Sequence, residues 1–196
     1  MKTDIILSGV GGQGILSIAA VIGEAALEDG LFMKQTEVHG MSQRGGDVQS
    51  HLRISDQHIA SDLIPLGTAD IIISLEPMEA LRYLPYLTKD GWVVTNSKPF
   101  KNIPDYPELE QIMKIYDSLP NKIILDVEQI AKELGTPRSS NVVLLGAASL
   151  HLPIDFIKLE NGIRRIFGRK GESVVEANLK ALSAGAGRNV NESDGK

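Results

Sequence analysis

Gly9, Gly11 and Gly14 of the stretch "SGVGGQGILSI" (residues 8–18) stand at the spacing G-x-G-x-x-G, with Gly12 and Gln13 at variable positions. Glycine lets the backbone turn tightly and approach a ligand closely, and the free N–H groups and dipole of a helix start attract an anion. The chemistry that suits this spacing is the holding of a phosphate. The same residues equally make a tight strand-to-helix turn that holds nothing. Glu37, about 20 residues beyond the glycines, falls near the place of a ribose-binding acid in a dinucleotide fold. No Lys-Ser/Thr pair follows Gly14, which excludes an ATPase-type phosphate loop.

A second stretch, "TEVHGMSQRGGDVQSHLRIS" (residues 36–55), sets Arg44 beside Gly45 and Gly46, with Ser42 and Gln43 just before it. A guanidinium next to bare backbone can grip a phosphate or carboxylate through charge-assisted hydrogen bonds, and it can equally be a solvated loop charge. Imidazoles such as those of His39 and His51 suit acid–base work near neutral pH, or each is a hydrogen-bonded structural histidine. No Ser-His-Asp order or paired carboxylates stand out. His39, His51 and His58 match no metal-ligand spacing, so neither a catalytic residue nor a metal ligand is assigned. The candidate cofactor-binding set is Gly9, Gly11, Gly12, Gln13, Gly14, Glu37, His39, Ser42, Gln43, Arg44, Gly45 and Gly46.

These residues belong to a chain of 196 with 42% hydrophobic and 23% charged residues and a formal net charge of -5. That composition indicates one globular body and argues against a disordered chain and against a general electrostatic grip on nucleic acid. There is no cysteine, so the chain can hold neither a disulfide nor a thiolate-ligated iron–sulfur cluster. No run of about 18 apolar residues suggests a membrane span, and the start of the chain offers no signal-peptide core. A cytoplasmic protein is expected.

The elements that must position the two glycine stretches alternate between short apolar runs and helical periods. "DIILS" is a strand, and after the turn Ile15, Ile18, Ala19, Ile22, Ala25 and Ala26 share one helical face that ends at Gly30. "FMKQTEV" and "DVQSHLRIS" read as two more strands, the latter half exposed with Asp47, Gln49, His51 and Arg53 outward. "ADIIISLE" suits a strand buried on both faces, and Pro77 then opens a helix that Pro85 ends or kinks. "GWVVTN" and "KIILDV" are further strands, and Gly135 terminates the helix of "EQIAKELG". Three helices follow, in "SNVVLLGAASLHL", "DFIKLENGIRRIF" and "ESVVEANLKAL". The expected fold is α/β, a three-layer αβα Rossmann-like sandwich with a mostly parallel sheet and a helical C-terminal third. A single domain over residues 1–184 is expected, with residues 185–196 a polar, disordered tail.

Four motifs in order, "GVGGQG", "TEVHGMSQRGGDVQSHLRIS", "LEPMEALRYL" and "NVVLLGAASLHLP", resemble the gamma-type domain of 2-oxoacid:ferredoxin oxidoreductases over nearly the whole chain up to Ala184. Pyruvate-type members carry Tyr-Gly-Pro-Glu-x-Arg-Gly-Gly in the loop that here reads from His39 to Gly46, and this departure favours the branch acting on indolepyruvate and other aryl pyruvates. The resemblance implies an accessory subunit of an enzyme that oxidatively decarboxylates a 2-oxoacid to acyl-CoA with ferredoxin as electron acceptor. It places thiamine diphosphate and the iron–sulfur clusters on a larger partner subunit, with coenzyme A as substrate at a shared active site and no cofactor on this chain alone. Self-association of the isolated chain is expected from the apolar surface that the partner would cover. The rival readings are an NAD(P)-binding Rossmann dehydrogenase and a non-catalytic nucleotide-binding scaffold.

Overall fold

The computed structural model describes residues 1–39, 45–101 and 103–193. Six strands form one sheet: β1 (Lys2–Val10), β2 (Phe32–His39), β3 (Asp47–Ser55), β4 (Ala69–Ser74), β5 (Leu87–Asn96) and β6 (Lys122–Leu125). Their order is β2-β3-β1-β4-β5-β6. The pairs β1/β4, β4/β5 and β5/β6 are parallel, while β3 runs antiparallel to both of its neighbours, β1 and β2. The expected mostly parallel α/β architecture is therefore the observed one.

Helices α1 (Ile15–Glu28), α4 (Val127–Glu133) and α5 (Ser140–Ala148) cover one face of the sheet, meeting Ile5, Leu7, Ile71, Ile73 and Val94. Helices α2 (Pro77–Arg82) and α3 (Leu109–Asp117) serve the other face, where Ala80, Ile112 and Tyr116 pack on Ile6, Ile72 and Val93. The central strands are apolar on both sides because both are covered. Helices α6 (Phe156–Phe167) and α7 (Glu172–Ser193) lie outside α1 and α5. Every residue from Asn141 to Ala148 is buried, as a helix apolar all round must be. A Cβ on Gly146 would sit 2.1 Å from the Leu182 carbonyl oxygen, and one on Gly185 would sit 2.0 Å from that of Val143, so α5 and α7 touch backbone to backbone.

Three features differ from the sequence reading. First, α7 runs to Ser193 in place of the polar tail expected from residue 185. Its docked length has already met the cost of nucleation, and each added residue only extends a formed helix. Second, β3 is not half exposed, because it lies between two strands with Ile64 and Tyr86 over its polar face. His51 there is only 4% exposed, its Nδ1 accepts a 2.9 Å hydrogen bond from the Ile64 N–H, and its ring meets that of Tyr86 edge-on. Third, the sequence reading assigns no element to residues 97–121, where α3 makes the crossover that the parallel pair β5/β6 requires.

Candidate functional site

The glycine turn lies between the end of β1 and the start of α1. Gly11 N–H donates to the Gly46 carbonyl at 2.8 Å and Gly45 N–H to the Gly11 carbonyl at 3.4 Å, so the two glycine stretches meet in space. Gln13 folds back inside the turn. Its Oε1 accepts from the Val10 N–H at 2.7 Å, and its Nε2 donates to the Leu75 carbonyl at 3.2 Å, which ties the turn to the end of β4. Gly14 has φ +89°, and a Cβ there would lie 2.7 Å from Asn141 Nδ2, the group that donates to the Gly14 carbonyl at 3.1 Å. Only glycine meets both conditions. Among the described residues, the N–H groups of Gly12, Gly14 and Ile15 donate to no protein acceptor. They are the free donors of a helix start.

Among the described residues, a smaller and a larger cavity open on this turn. The smaller, about 320 Å³, is lined by Gly12, Gln13, Leu75, Asn96, Arg138 and Ser140 among others. It sits outside the carboxyl ends of β1, β4 and β5, where open α/β sheets place their ligands. Asn96 shapes its floor: Nδ2 donates to the Lys98 carbonyl at 3.2 Å, and Oδ1 accepts from the Val127 N–H at 3.4 Å. The larger cavity, about 550 Å³, lies on the α7 side and shares Gly12, Gln13, Pro137 and Arg138 with the smaller. Arg138 forms no ion pair among the described residues. An unpaired guanidinium beside free helix-start N–H groups makes a site for an anion.

Beyond the turn, Glu76 is fully buried and holds the end of β4 in place. Its Oε2 accepts from the Glu79 N–H at 2.8 Å, capping α2, while Oε1 accepts from the Phe100 N–H at 3.2 Å and from the Tyr106 hydroxyl. Burial raises the pKa of Glu79, opposed by the Arg82 guanidinium 2.9 Å away. Burial likewise pushes the Tyr83 hydroxyl up to about 12 and holds the His51 imidazole below its ordinary range. His51 thus acts as a neutral acceptor for a backbone N–H within the core. Among the described residues, no three His, Asp or Glu side chains converge to hold a metal ion, and no helix is long and apolar enough to cross a membrane.

Of the candidate residues, Gly9, Gly11, Gly12, Gln13, Gly14, Gly45 and Gly46 lie together at the turn. Glu37 and His39 stand on the edge strand β2, paired with Ser50 and Val48 of β3. They are two strands from β1, or roughly 9–10 Å at the usual interstrand spacing. Ser42, Gln43 and Arg44 lie outside the described residues, as does the side chain of His39. Arg138, Asn141 and Asn96, which build the site, were not singled out from the sequence. The only local signal was "GTPRSS" (residues 135–140), a cation and three hydroxyls between a helix stop and a helix start.

The family model for pyruvate ferredoxin/flavodoxin oxidoreductase matches residues 4–187. The chain is similar to the indolepyruvate oxidoreductase subunit IorB of Archaeoglobus fulgidus, 38% identical over 94% of each chain. It is likewise similar to the protein of that name from Pyrococcus horikoshii, 40% identical over 93% of each. Among solved structures it resembles the 2-oxoglutarate:ferredoxin oxidoreductase of Magnetococcus marinus, described with 2-oxoglutarate, coenzyme A and succinyl-CoA bound. The TM-score is 0.76 at 23% identity, covering 97% of this chain and 31% of that one. The keto/oxoacid ferredoxin oxidoreductase gamma subunit of Geobacter sulfurreducens gives 0.70 at 24% identity over 96% and 99%. The two structures support the fold, and the family model with the near full-length relatives supports the membership. The chain belongs to the pyruvate ferredoxin/flavodoxin oxidoreductase family, as its four sequence motifs imply.

Proposed function

We propose that the protein is the accessory subunit of a thiamine-diphosphate-dependent 2-oxoacid:ferredoxin oxidoreductase of the indolepyruvate type, working in the cytoplasm. The enzyme oxidatively decarboxylates an aryl 2-oxoacid to its acyl-CoA, with ferredoxin as electron acceptor. The observation that carries this reading is the match to indolepyruvate oxidoreductase subunits at 38% and 40% identity over nearly their full length. A larger partner subunit holds the thiamine diphosphate and the iron–sulfur clusters, for which a chain without cysteine has no thiolate ligands. When bound there, these groups supply the electron sink for decarboxylation and the path for single electrons.

This chain's own part is to line the shared active site with the glycine turn and the loop that carries Ser42, Gln43 and Arg44. Coenzyme A suits it, because its phosphates match the free N–H groups of Gly12, Gly14 and Ile15 and the unpaired Arg138. Glu37, on the edge strand, is too far from the turn to hold a ribose there, which weighs against a nicotinamide dehydrogenase. Without its partner the chain associates with itself through exposed apolar side chains such as Phe100 and Ile103.

The test is co-expression with the larger subunit. The expected outcome is a stable complex that reduces ferredoxin in the presence of indolepyruvate and coenzyme A and loses that activity without this chain. A complex that works equally well without the chain, or that prefers pyruvate or 2-oxoglutarate, overturns the proposal.

A further inference from the structure

Strand β2 forms one edge of the sheet, and among the described residues Phe32–Thr36 find no backbone partner other than β3. Proteins usually blunt such an edge with a short strand, a proline, a bulge or an outward lysine. The opposite edge, β6, is blunted by its length of four residues. β2 has eight residues, no proline or glycine, and an unbroken register with β3. Its one lysine is turned back onto the chain, where Lys34 Nζ donates to the Ala60 carbonyl at 3.1 Å. Both faces of β2 are covered. Met33 packs at Gly23 of α1 on one side, and on the other the Thr36 hydroxyl donates to Asp62 at 2.7 Å. The edge itself stays open, with Phe32 50% and Val38 52% exposed.

Two copies of an edge strand related by a two-fold axis normal to the sheet pair antiparallel and keep like faces together. Opposed residues must then be an even number of positions apart in the sequence. With Gln35 on the axis, Phe32 opposes Val38 twice and Lys34 opposes Thr36. Each exposed apolar side chain then meets the other in an aromatic–β-branched pair, a favourable cross-strand contact. With Lys34 or Glu37 on the axis, a charge faces its own copy, which destabilises the pairing. With Thr36 on the axis, Phe32 passes beyond the end of the facing strand.

We propose that β2 is an interface to a second copy of this chain, paired antiparallel about Gln35 so that the two sheets join into one of twelve strands, six from each copy. A copy of the same strand fits better than an unrelated segment because the exposed pair is symmetric. Phe32 and Val38 lie three residues to either side of Gln35, so one geometry covers all four apolar side chains. The pairing goes beyond the subunit reading above and does not depend on it.

The experiment uses the full chain, whose lack of native cysteine lets single introduced cysteines report the register. Under mild oxidation Gln35→Cys is expected to cross-link to its own copy, because facing Cα atoms of an antiparallel pair lie about 4.5–5.5 Å apart, within disulfide reach. Phe32→Cys alone and Val38→Cys alone are expected to stay uncross-linked, since each lies about 20 Å from its own copy along the strands. Mixed together, the two should cross-link to each other. Sedimentation over about 1–100 μM should show a monomer–dimer equilibrium that Val38→Lys weakens at least about tenfold, as a charge blocks an edge. Circular dichroism checks that each variant is folded. Phe100→Ser alters the apolar surface that follows β5, four strands from β2, and should leave the β2 cross-links unchanged. A monomer at about 100 μM with no Gln35→Cys cross-link overturns the proposal. So does a folded Val38→Lys protein that dimerises as before. Cross-linking of Gln35→Cys only to the larger subunit on co-expression would likewise overturn it and give the edge to that partner.

Discussion

Asn141 Nδ2 donates a 3.1 Å hydrogen bond to the carbonyl of Gly14 across 127 positions of the chain. The bond fixes the start of α5 against the start of α1 and so ties the glycine turn to α5. Asn141→Ala leaves that carbonyl without its partner and should cost about 1–3 kcal/mol. Gly14→Ala meets both a positive φ, worth roughly 1–2 kcal/mol, and a contact at 2.7 Å with the same amide nitrogen. The double variant removes that collision, so it should be less destabilised than the two single effects added together. Urea unfolding of the four proteins measures the cycle, and strict additivity would refute the contact.

Gly146→Ala and Gly185→Ala provide a test of sign. In an exposed helix, replacing glycine by alanine stabilises by up to about 1 kcal/mol. Here each new Cβ would lie within about 2 Å of a carbonyl oxygen on the facing helix. Each change should therefore destabilise by roughly 1–3 kcal/mol or more, as overpacking does. Denaturant midpoints decide it, and a stabilised variant would show that α5 and α7 do not meet backbone to backbone.

His51 gives the fold a dependence on pH. Burial lowers its folded-state pKa below the ordinary histidine value, so between the two values the unfolded chain binds the extra proton. The stability it contributes is complete above about pH 6.5 and is lost as the pH falls below that, at up to about 1.4 kcal/mol per pH unit. His151, lowered by burial beside Trp92, acts in the same direction. Unfolding midpoints measured from pH 8 to pH 5 should fall toward the acid end, and His51→Gln should flatten the curve. An identical slope in the variant would remove His51 from the account.

Arg44 tests the proposed role of its loop in the assembled enzyme. Gly45 and Gly46, which follow it, pair with Gly11 at the turn. Arg44→Ala should lower kcat/KM for coenzyme A or for the 2-oxoacid by about 10- to 100-fold, the loss expected for one charged hydrogen bond of roughly 1.5–3 kcal/mol. Arg44→Lys should recover only part of it, because an ammonium cannot reproduce a bidentate fork. Unchanged kinetics for both substrates, with assembly intact, would make Arg44 a solvated loop charge.

The sequence by itself determined the kinds of element and the place of the turn. Side-chain periodicity and glycine or proline punctuation are local properties, legible within a window of about a dozen residues. Zero cysteines and the order of the four motifs likewise needed no coordinates. Only the tertiary structure decided that β3 enters antiparallel between β1 and β2. That insertion buries His51 and carries Glu37 two strands away from the glycines it appeared to serve. Strand order depends on which neighbour buries the most surface and closes the connection, and no spacing within a strand records it. The walls of the cavities were hidden for the same reason. Gly12, Arg138, Phe167 and Asn178 come from four separate segments of the chain, and nothing in their local sequence shows that burying α5 beneath α7 brings them to one space.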